Sequence, residues 1–187
     1  EWGAKKAGEG IMAKEQVWQE IVKIIGGIKM DSKTYVLGTS VNNVPLTTTA
    51  EFTLDPEKKV LYGFHEQGTE KLVHIRNNPQ VSLNFHEEFT GFAGNYLCCQ
   101  IRGRAELLDG TSPEFEQAMI NFLPYEEGAR VPKDATPQQR EEHLAKWRQG
   151  VKNSFFISKI TIDRITIISR DFAKQGFRMA QRWERQP

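Results

Sequence analysis

The sequence predicts a mainly β protein, an antiparallel β-barrel with peripheral helices. Short runs rich in β-branched and aromatic residues follow one another, with turn signals between them. Two short segments with helical character interrupt these runs, and an almost perfectly alternating run, 154–170, comes near the end. The length of 187 residues suits one domain, assigned to 12–187. Residues 1–11, rich in Gly, Ala and Lys, are interpreted as a flexible arm or a cloning remnant.

The first part of the chain is predicted to form one helix and then three strands. Apolar residues recur at helical spacing over 13–25, and Gly26 follows as the stop signal. Asn42 and Asn43 tolerate positive φ and therefore predict a tight hairpin between the first two strands. The three predicted strands are 34–41, 44–54 and 60–65.

The second part is predicted to complete the barrel. A short helix over 69–77 ends before Pro79, because proline disfavours helix in the residue before it. Gly103 predicts a bend or bulge within a long strand. The further strands are 80–85, 96–108 and 154–170, and a Ser-Pro start predicts a helix over 112–123. Residues 124–150 are interpreted as a helical insertion, with a helix over 137–149, and the basic, aromatic tail after 170 as solvated.

Charge and composition argue against several classes of partner. Basic residues number 25 and acidic residues 24, so the net charge of +1 provides no field that attracts nucleic acid or an acidic membrane. No run approaches the ~20 apolar residues of a membrane span. The adjacent Cys98 and Cys99 point to opposite faces of a strand, which favours two reduced thiols and a cytoplasmic location. The four histidines lack metal-ligand spacing, so no metal is expected.

The stretch "GFHEQGTEK" resembles a phosphate-binding P-loop only in its glycine spacing. Lys71 comes three residues after Gly68, and Thr69 precedes the lysine, so the P-loop order is absent. A helix that starts near Thr69 nevertheless presents free N–H groups, a hydroxyl and an ammonium to an anion. Two interpretations stay open: a phosphate cradle, or a surface capping threonine beside a solvated lysine.

The order of motifs from 39 to 85, "TSVNNVPLTTTAEFTLDPEKKVLYGFHEQGTEKLVHIRNNPQVSLNF", resembles the pyridoxamine 5′-phosphate oxidase-like, FMN-binding split-barrel superfamily. Matching features are a Gly-[Ser/Thr]-x-Lys motif, an amphipathic helix, Asn-Pro and a valine-rich strand. The resemblance covers about 34–123 and 153–170. It implies an antiparallel split barrel of six or so strands, which forms a homodimer with FMN at the subunit interface.

The resemblance also implies a set of cofactor contacts. The FMN phosphate would lie on Thr69 and Lys71, and the isoalloxazine edge along the second strand. The implied cofactor-binding residues are Thr47, Thr48, Thr49, Phe64, His65, Thr69 and Lys71. The three threonines have a second interpretation as simple strand formers. His65 is a candidate catalytic residue, as a cofactor contact or proton donor, or else a strand-end histidine in water.

The sequence departs from the resembled family at several positions. Glu70 stands where relatives often carry a basic residue, and Cys98 where the true oxidases place a glutamine that reaches the flavin. Their C-terminal Arg–His signature is not clearly present. Trp183 and Arg185 are candidates for contacts across the dimer, with a solvated tail as the alternative.

The leading functional hypothesis is an FMN-dependent oxidoreductase that acts on an unidentified small molecule. The alternative is a non-catalytic flavin-, F420- or haem-binding module or electron carrier, and a third hypothesis is a structural dimer with an empty site. The insertion, with Tyr125, Arg130 and Trp147, is expected to form a lid or part of the dimer wall.

Overall fold

The computed structural model describes residues 9–26, 33–87, 94, 96–122 and 129–186. Within these residues the chain forms seven strands and five helices. The strands are β1 (Lys33–Val41), β2 (Val44–Asp55), β3 (Val60–Glu66), β4 (Gln80–His86), β5 (Leu97–Leu108), β6 (Phe155–Ser169) and β7 (Ala180–Glu184). The helices are α1 (Lys14–Ile25), α2 (Glu70–Asn77), α3 (Pro113–Phe122), α4 (Pro137–Ser154) and α5 (Arg170–Lys174).

Six of the strands close into an antiparallel barrel. Their order is β3-β2-β1-β4-β5-β6, and pairing between β3 and β6 joins the two ends. One edge of the long strand β6 pairs with two other strands. Phe155–Thr161 pairs with β3, and Arg164–Ile168 pairs with β7. The predicted split barrel with six or so strands and peripheral helices is confirmed.

Local sequence signals explain two features of the barrel. Asn42 and Asn43 both adopt positive φ, 50° and 63°, as the predicted tight hairpin requires. The register between β5 and β6 shifts between Arg102 and Gly103. A Cβ at Gly103 would lie 2.4 Å from the Thr161 carbonyl oxygen, so only glycine fits this close approach.

Two apolar clusters stabilise the domain. The main core fills the barrel and includes Trp18 and Ile21 of α1. A second cluster joins α3 and α4 to the outer face of β3 and β6, around Tyr62, Phe115 and Val151. The Tyr62 hydroxyl also donates to Glu114 Oε1 at 3.1 Å, which ties α3 to the barrel.

The insertion helix is longer than predicted. Helix α4 runs to Ser154 rather than ending at 149, and β6 begins at Phe155. A capping box between Thr136 and Gln139 starts the helix. Gly150 alone does not end it, because glycine costs a helix only about 1 kcal/mol and no proline follows.

The expectation of a solvated tail is wrong. Strand β7 pairs with β6, and Trp183 is only 3% exposed. The Trp183 ring lies 4.9 Å from that of Trp18, so it packs within its own chain. The Arg185 guanidinium donates to the carbonyls of Ile162 and Lys59, at 2.9 and 3.0 Å, where β3 and β7 meet along β6. Both candidates for contacts across a dimer therefore serve the fold of one chain.

The arm assigned to 1–11 is described only at its end. Gly10 donates its N–H to the Gly176 carbonyl at 3.2 Å and accepts from the Arg178 N–H at 2.9 Å. Residues 9–11 are thus tied to the segment between α5 and β7, and residues 1–8 lie outside the described part of the chain.

Candidate functional site

The barrel opens between β2 and β3. The two strands pair only over Thr53–Asp55 and Val60–Tyr62, after which β3 pairs with β6 alone. Gly63 stands at this point, where a Cβ would lie 2.5 Å from the Phe52 ring. Within the described chain, the β3-side edge of β2 before Thr53 has no strand partner. Alternate backbone N–H and C=O groups of this edge are therefore available to a ligand.

The three threonines of β2 alternate as predicted. Thr47 and Thr49 are exposed on the outer face of the barrel, and Thr48 is half-buried on the other face. The Thr48 Oγ1 atom is buried and has no hydrogen-bond partner among the described residues. An unsatisfied buried hydroxyl carries a free-energy cost, so it marks a place where a ligand group or water would stabilise the fold.

A pocket of about 370 Å³ lies beside Thr47 on the same outer face. Gly38 forms part of its lining, and a Cβ there would lie 2.6 Å from Ser82 Oγ. Arg102 supplies a cationic group to the rim. No motif or spacing in the sequence marks Gly38, Ser82 or Arg102 as site residues. The pairing of Gly38 with Thr47 and Ser82 brings them together, and an alternating pattern alone does not reveal that register.

The predicted anion site lies where β3 leads into α2. Gly68 adopts φ +83°, which turns the chain, and Thr69 occupies the N-cap position. The Thr69 side chain does not cap the helix, and its hydroxyl donates instead to the Glu66 carbonyl at 3.3 Å. The interpretation of Thr69 as a surface capping residue is therefore wrong. The half-buried Lys71 has no ion-pair partner in the described part of the chain.

Buried polar contacts hold α2 against the barrel. His74 is buried, and its Nδ1 lies 3.2 Å from Thr39 Oγ1. The Asn78 amide donates to Ser40 Oγ at 3.1 Å. Glu70 lies 3.7 Å from His74 Nε2, so its carboxylate follows the helix toward its C-terminal half. This placement lessens the conflict between the acidic Glu70 and an anion at the helix N-terminus.

His65 lies inside the end of the barrel. It is 4% exposed, and its Nε2 lies 2.7 Å from Ser158 Oγ. Burial and, secondly, the Lys71 charge lower the pKa of His65 to about 4. It is therefore neutral at pH 7, and the alternative of a strand-end histidine in water is wrong. Phe64 points to the other side and packs against the second cluster.

The described part of the insertion lies against the barrel. Trp147 packs against the second cluster, and a cavity of about 530 Å³ is lined by Trp147, Gly150 and Phe155. Arg130 adopts a positive φ of 49°, and Tyr125 lies outside the described residues.

The described residues form neither a membrane-spanning helix nor a metal site. No described helix is long and apolar enough to cross a membrane. Nor do three His, Cys, Asp or Glu side chains within the described ranges group around a point where a metal ion could bind. Cys98 and Cys99 are free thiols, and burial raises the pKa of Cys99 to about 12.

The closed strand order with an opening between β2 and β3 defines a split-barrel protein of the pyridoxamine 5′-phosphate oxidase-like superfamily. A sequence model described as pyridoxamine 5′-phosphate oxidase matches residues 18–149, more than half of the chain. The chain therefore belongs to the pyridoxamine 5′-phosphate oxidase family. No curated protein sequence matches it.

Solved structures share the fold at low sequence identity. An FAD-binding protein from Mesorhizobium loti is 16% identical, with a TM-score of 0.53 over 79% of this chain and 90% of that one. The heme storage protein HutZ from Vibrio cholerae is 16% identical, with a TM-score of 0.51 over 81% and 92%. ChuZ from Campylobacter jejuni is 16% identical, with a TM-score of 0.57 over 92% and 61%.

Proposed function

We propose that the protein is an FMN-dependent oxidoreductase that binds the flavin along the opening between β2 and β3. One observation carries this proposal. The edge of β2 that lacks a strand partner lies beside the end of β3, and β3 leads directly into a helix whose first turn carries Lys71 without a counter-ion among the described residues. Such an arrangement offers backbone groups to a planar ring and a cationic helix start to a phosphate.

The described residues at the opening and at the start of α2 fit the chemistry of FMN. The free N–H groups of the first turn of α2 and the Lys71 ammonium suit a phosphate dianion. Thr69 adds a hydroxyl, which among the described residues bonds to the Glu66 carbonyl. Thr47 and Thr49 face outward beside the opening, and Thr48 holds a buried hydroxyl without a described partner. When bound, the flavin supplies the electron or hydride chemistry, and the protein binds and orients it.

No catalytic side chain is assigned to this reaction. His65 is buried and bonded to Ser158 inside the barrel, so it is not placed to transfer a proton to a ligand on the outer face. Phe64 supports the outer side of β3. The chain's own contribution is to hold the cofactor and to exclude water from one side of its ring.

We extend the proposal to a homodimer with the cofactor between the subunits. In the described structure, α3 and α4 cover the outer face of β3 and β6, whereas β1, β2, β4 and β5 carry exposed outward residues. Val36 is 40% exposed at the centre of this face. A second copy would cover the face and form the other wall of a small-molecule substrate pocket. Free Cys98 and Cys99 thiols support a cytoplasmic location.

The absorbance spectrum of the purified protein, followed by titration of the colourless form with FMN, tests the proposal. We expect flavin bands as purified, or saturable FMN binding at one equivalent per subunit. A Soret band would show that the protein binds haem instead of FMN. Haem is the ligand named for HutZ, one of the similar structures. Reconstitution by F420 but not FMN would favour a deazaflavin protein. A colourless protein that ignores FMN would overturn the proposal and leave a structural dimer.

A further inference from the structure

His65 joins the end of β3 to β6 from inside the barrel. Its Nε2 lies 2.7 Å from Ser158 Oγ, and both side chains are buried. The Phe52 ring of β2 packs edge-on against the imidazole, at 5.7 Å between centroids. The imidazole therefore occupies the point at which β3 has left β2 and is held by β6 alone.

The residues that follow His65 are fixed to the same support. The Gln67 N–H donates to the Ser154 carbonyl at 2.9 Å. The Gln67 side-chain amide donates to the Asn153 carbonyl at 3.0 Å. Together with the bond between His65 and Ser158, these contacts attach the turn that starts α2 to the end of α4 and the beginning of β6. These contacts hold the start of α2, and with it the anion site, in a fixed position against the barrel.

Lys71 is the charged group that acts on His65. Lys71 belongs to the first turn of α2, whereas β2 and β6 present the uncharged Phe52 and Ser158. Among the carboxylates nearby in sequence, Glu66 is exposed at the end of β3 and Glu70 follows the helix toward His74. Burial first, and then the Lys71 charge, lower the pKa of His65 to about 4. An anion on Lys71 offsets this second cause.

We propose that His65 is a positioning residue for the anion site: its bond to Ser158 fixes the end of β3, and the anion that binds Lys71 changes the protonation of the imidazole behind it. This inference rests on the proposed function only through its anion site at the start of α2. Binding of a dianion is then linked to uptake of a proton by His65 in mildly acid solution. His65 acts through Lys71 and β3 and does not touch the ligand.

Nuclear magnetic resonance can follow both halves of this linkage. The probe is inorganic sulfate, because its charge does not change between about pH 7.5 and about pH 4.5, unlike that of a phosphate monoester. The amide signals of Thr69 and Lys71 report binding, and the ring nitrogens of His65 report protonation. The matched variant is His65→Gln, whose amide nitrogen can keep the bond to Ser158 without titrating. Ser158→Ala tests the bond itself.

In the wild type we expect sulfate to shift both amides and to raise the pKa of His65 by about one unit. Sulfate affinity should then rise about threefold more between about pH 7.5 and about pH 4.5 than in His65→Gln, which keeps every other titrating group. Ser158→Ala should bind sulfate more weakly at pH 7, because the end of β3 loses the side-chain contact that orients it against β6.

The contradicting outcomes separate the two claims. If the amides respond to sulfate but the His65 titration does not move, or if His65→Gln shows the wild-type pH dependence, the inference is overturned and the proposed function stands. If sulfate binds with the expected linkage but FMN does not bind, the proposed function fails and the inference stands. Amides that respond to neither ligand overturn both.

Discussion

The rings of Trp18 and Trp183 lie 4.9 Å apart between centroids, inclined at 45°, and join the first helix to the last strand. The Lys59 ammonium lies over both rings, at 5.4 and 5.6 Å. Both indoles are almost fully buried. The contact closes one end of the barrel with segments from opposite ends of the sequence.

Truncation of Trp183 should therefore destabilise the whole domain. We expect Trp183→Ala to lower the free energy of unfolding by about 3–5 kcal/mol, because a large buried ring and its packing are lost. Urea denaturation followed by circular dichroism measures this. Arg182→Ala, exposed on the same strand, should stay within about 0.5 kcal/mol of the wild type. Equal effects of the two variants would show that β7 is not part of the cooperative core.

The opening between β2 and β3 should be intolerant of a side chain at Gly63. We expect Gly63→Ala to cost about 1–3 kcal/mol, because the added Cβ would lie 2.5 Å from the Phe52 ring and 3.1 Å from the Glu51 carbonyl oxygen. The control is Gly150→Ala in α4, where no atom of the described residues lies within 4 Å of the added carbon. That variant should be neutral or stabilised by up to about 1 kcal/mol. Thermal unfolding of the two proteins provides the comparison.

Acidification should destabilise the protein through His65. The unfolded chain takes up a proton on this histidine near its ordinary pKa of 6.5, whereas the folded chain does so only near about 4. Stability contributed by the neutral imidazole is present above pH 6.5 and is lost as the pH falls toward 4, on the order of 3 kcal/mol in total. Urea denaturation at several pH values across this range measures the free energy of unfolding. This free energy should fall less steeply with decreasing pH in His65→Gln than in the wild type. The same pH dependence in both proteins would contradict the lowered pKa of His65.

The proposed dimer predicts a disruptive site at Val36. A lysine at the centre of the outer face would bury a charge between subunits, so Val36→Lys should yield a monomer with reduced FMN affinity. Sedimentation velocity measures the mass. Ile120→Lys is the control, since Ile120 is also 40% exposed but lies on α3. A monomeric wild type, or a Val36→Lys protein that remains dimeric, would contradict the proposed interface.

Much of the barrel was predictable because its signals are local. The hairpin at Asn42 and Asn43, the bulge at Gly103 and the start of α2 all depend on residues adjacent in sequence. Strand alternation also placed Thr47 and Thr49 on one face. It could have placed His65 inside as well, since His65 shares a face of β3 with the buried Leu61.

The features that were missed depend on distant partners. The tail looked solvated because its basic residues dominate its composition, yet pairing with β6 and the contact with Trp18 bury Trp183. The partner of His65 is Ser158, a small polar residue within an apolar strand. No periodicity reveals such contacts, because they follow from barrel closure rather than from neighbouring residues.

The central claim, that Lys71 at the start of α2 holds the FMN phosphate, is tested most directly by FMN titration of Lys71→Ala. We expect a dissociation constant about 10- to 100-fold higher than that of the wild type, because a charge-assisted hydrogen bond to the phosphate is lost. Lys174→Ala, which removes an exposed lysine on α5, serves as the control and should bind FMN like the wild type. An unchanged FMN affinity in Lys71→Ala would contradict the account.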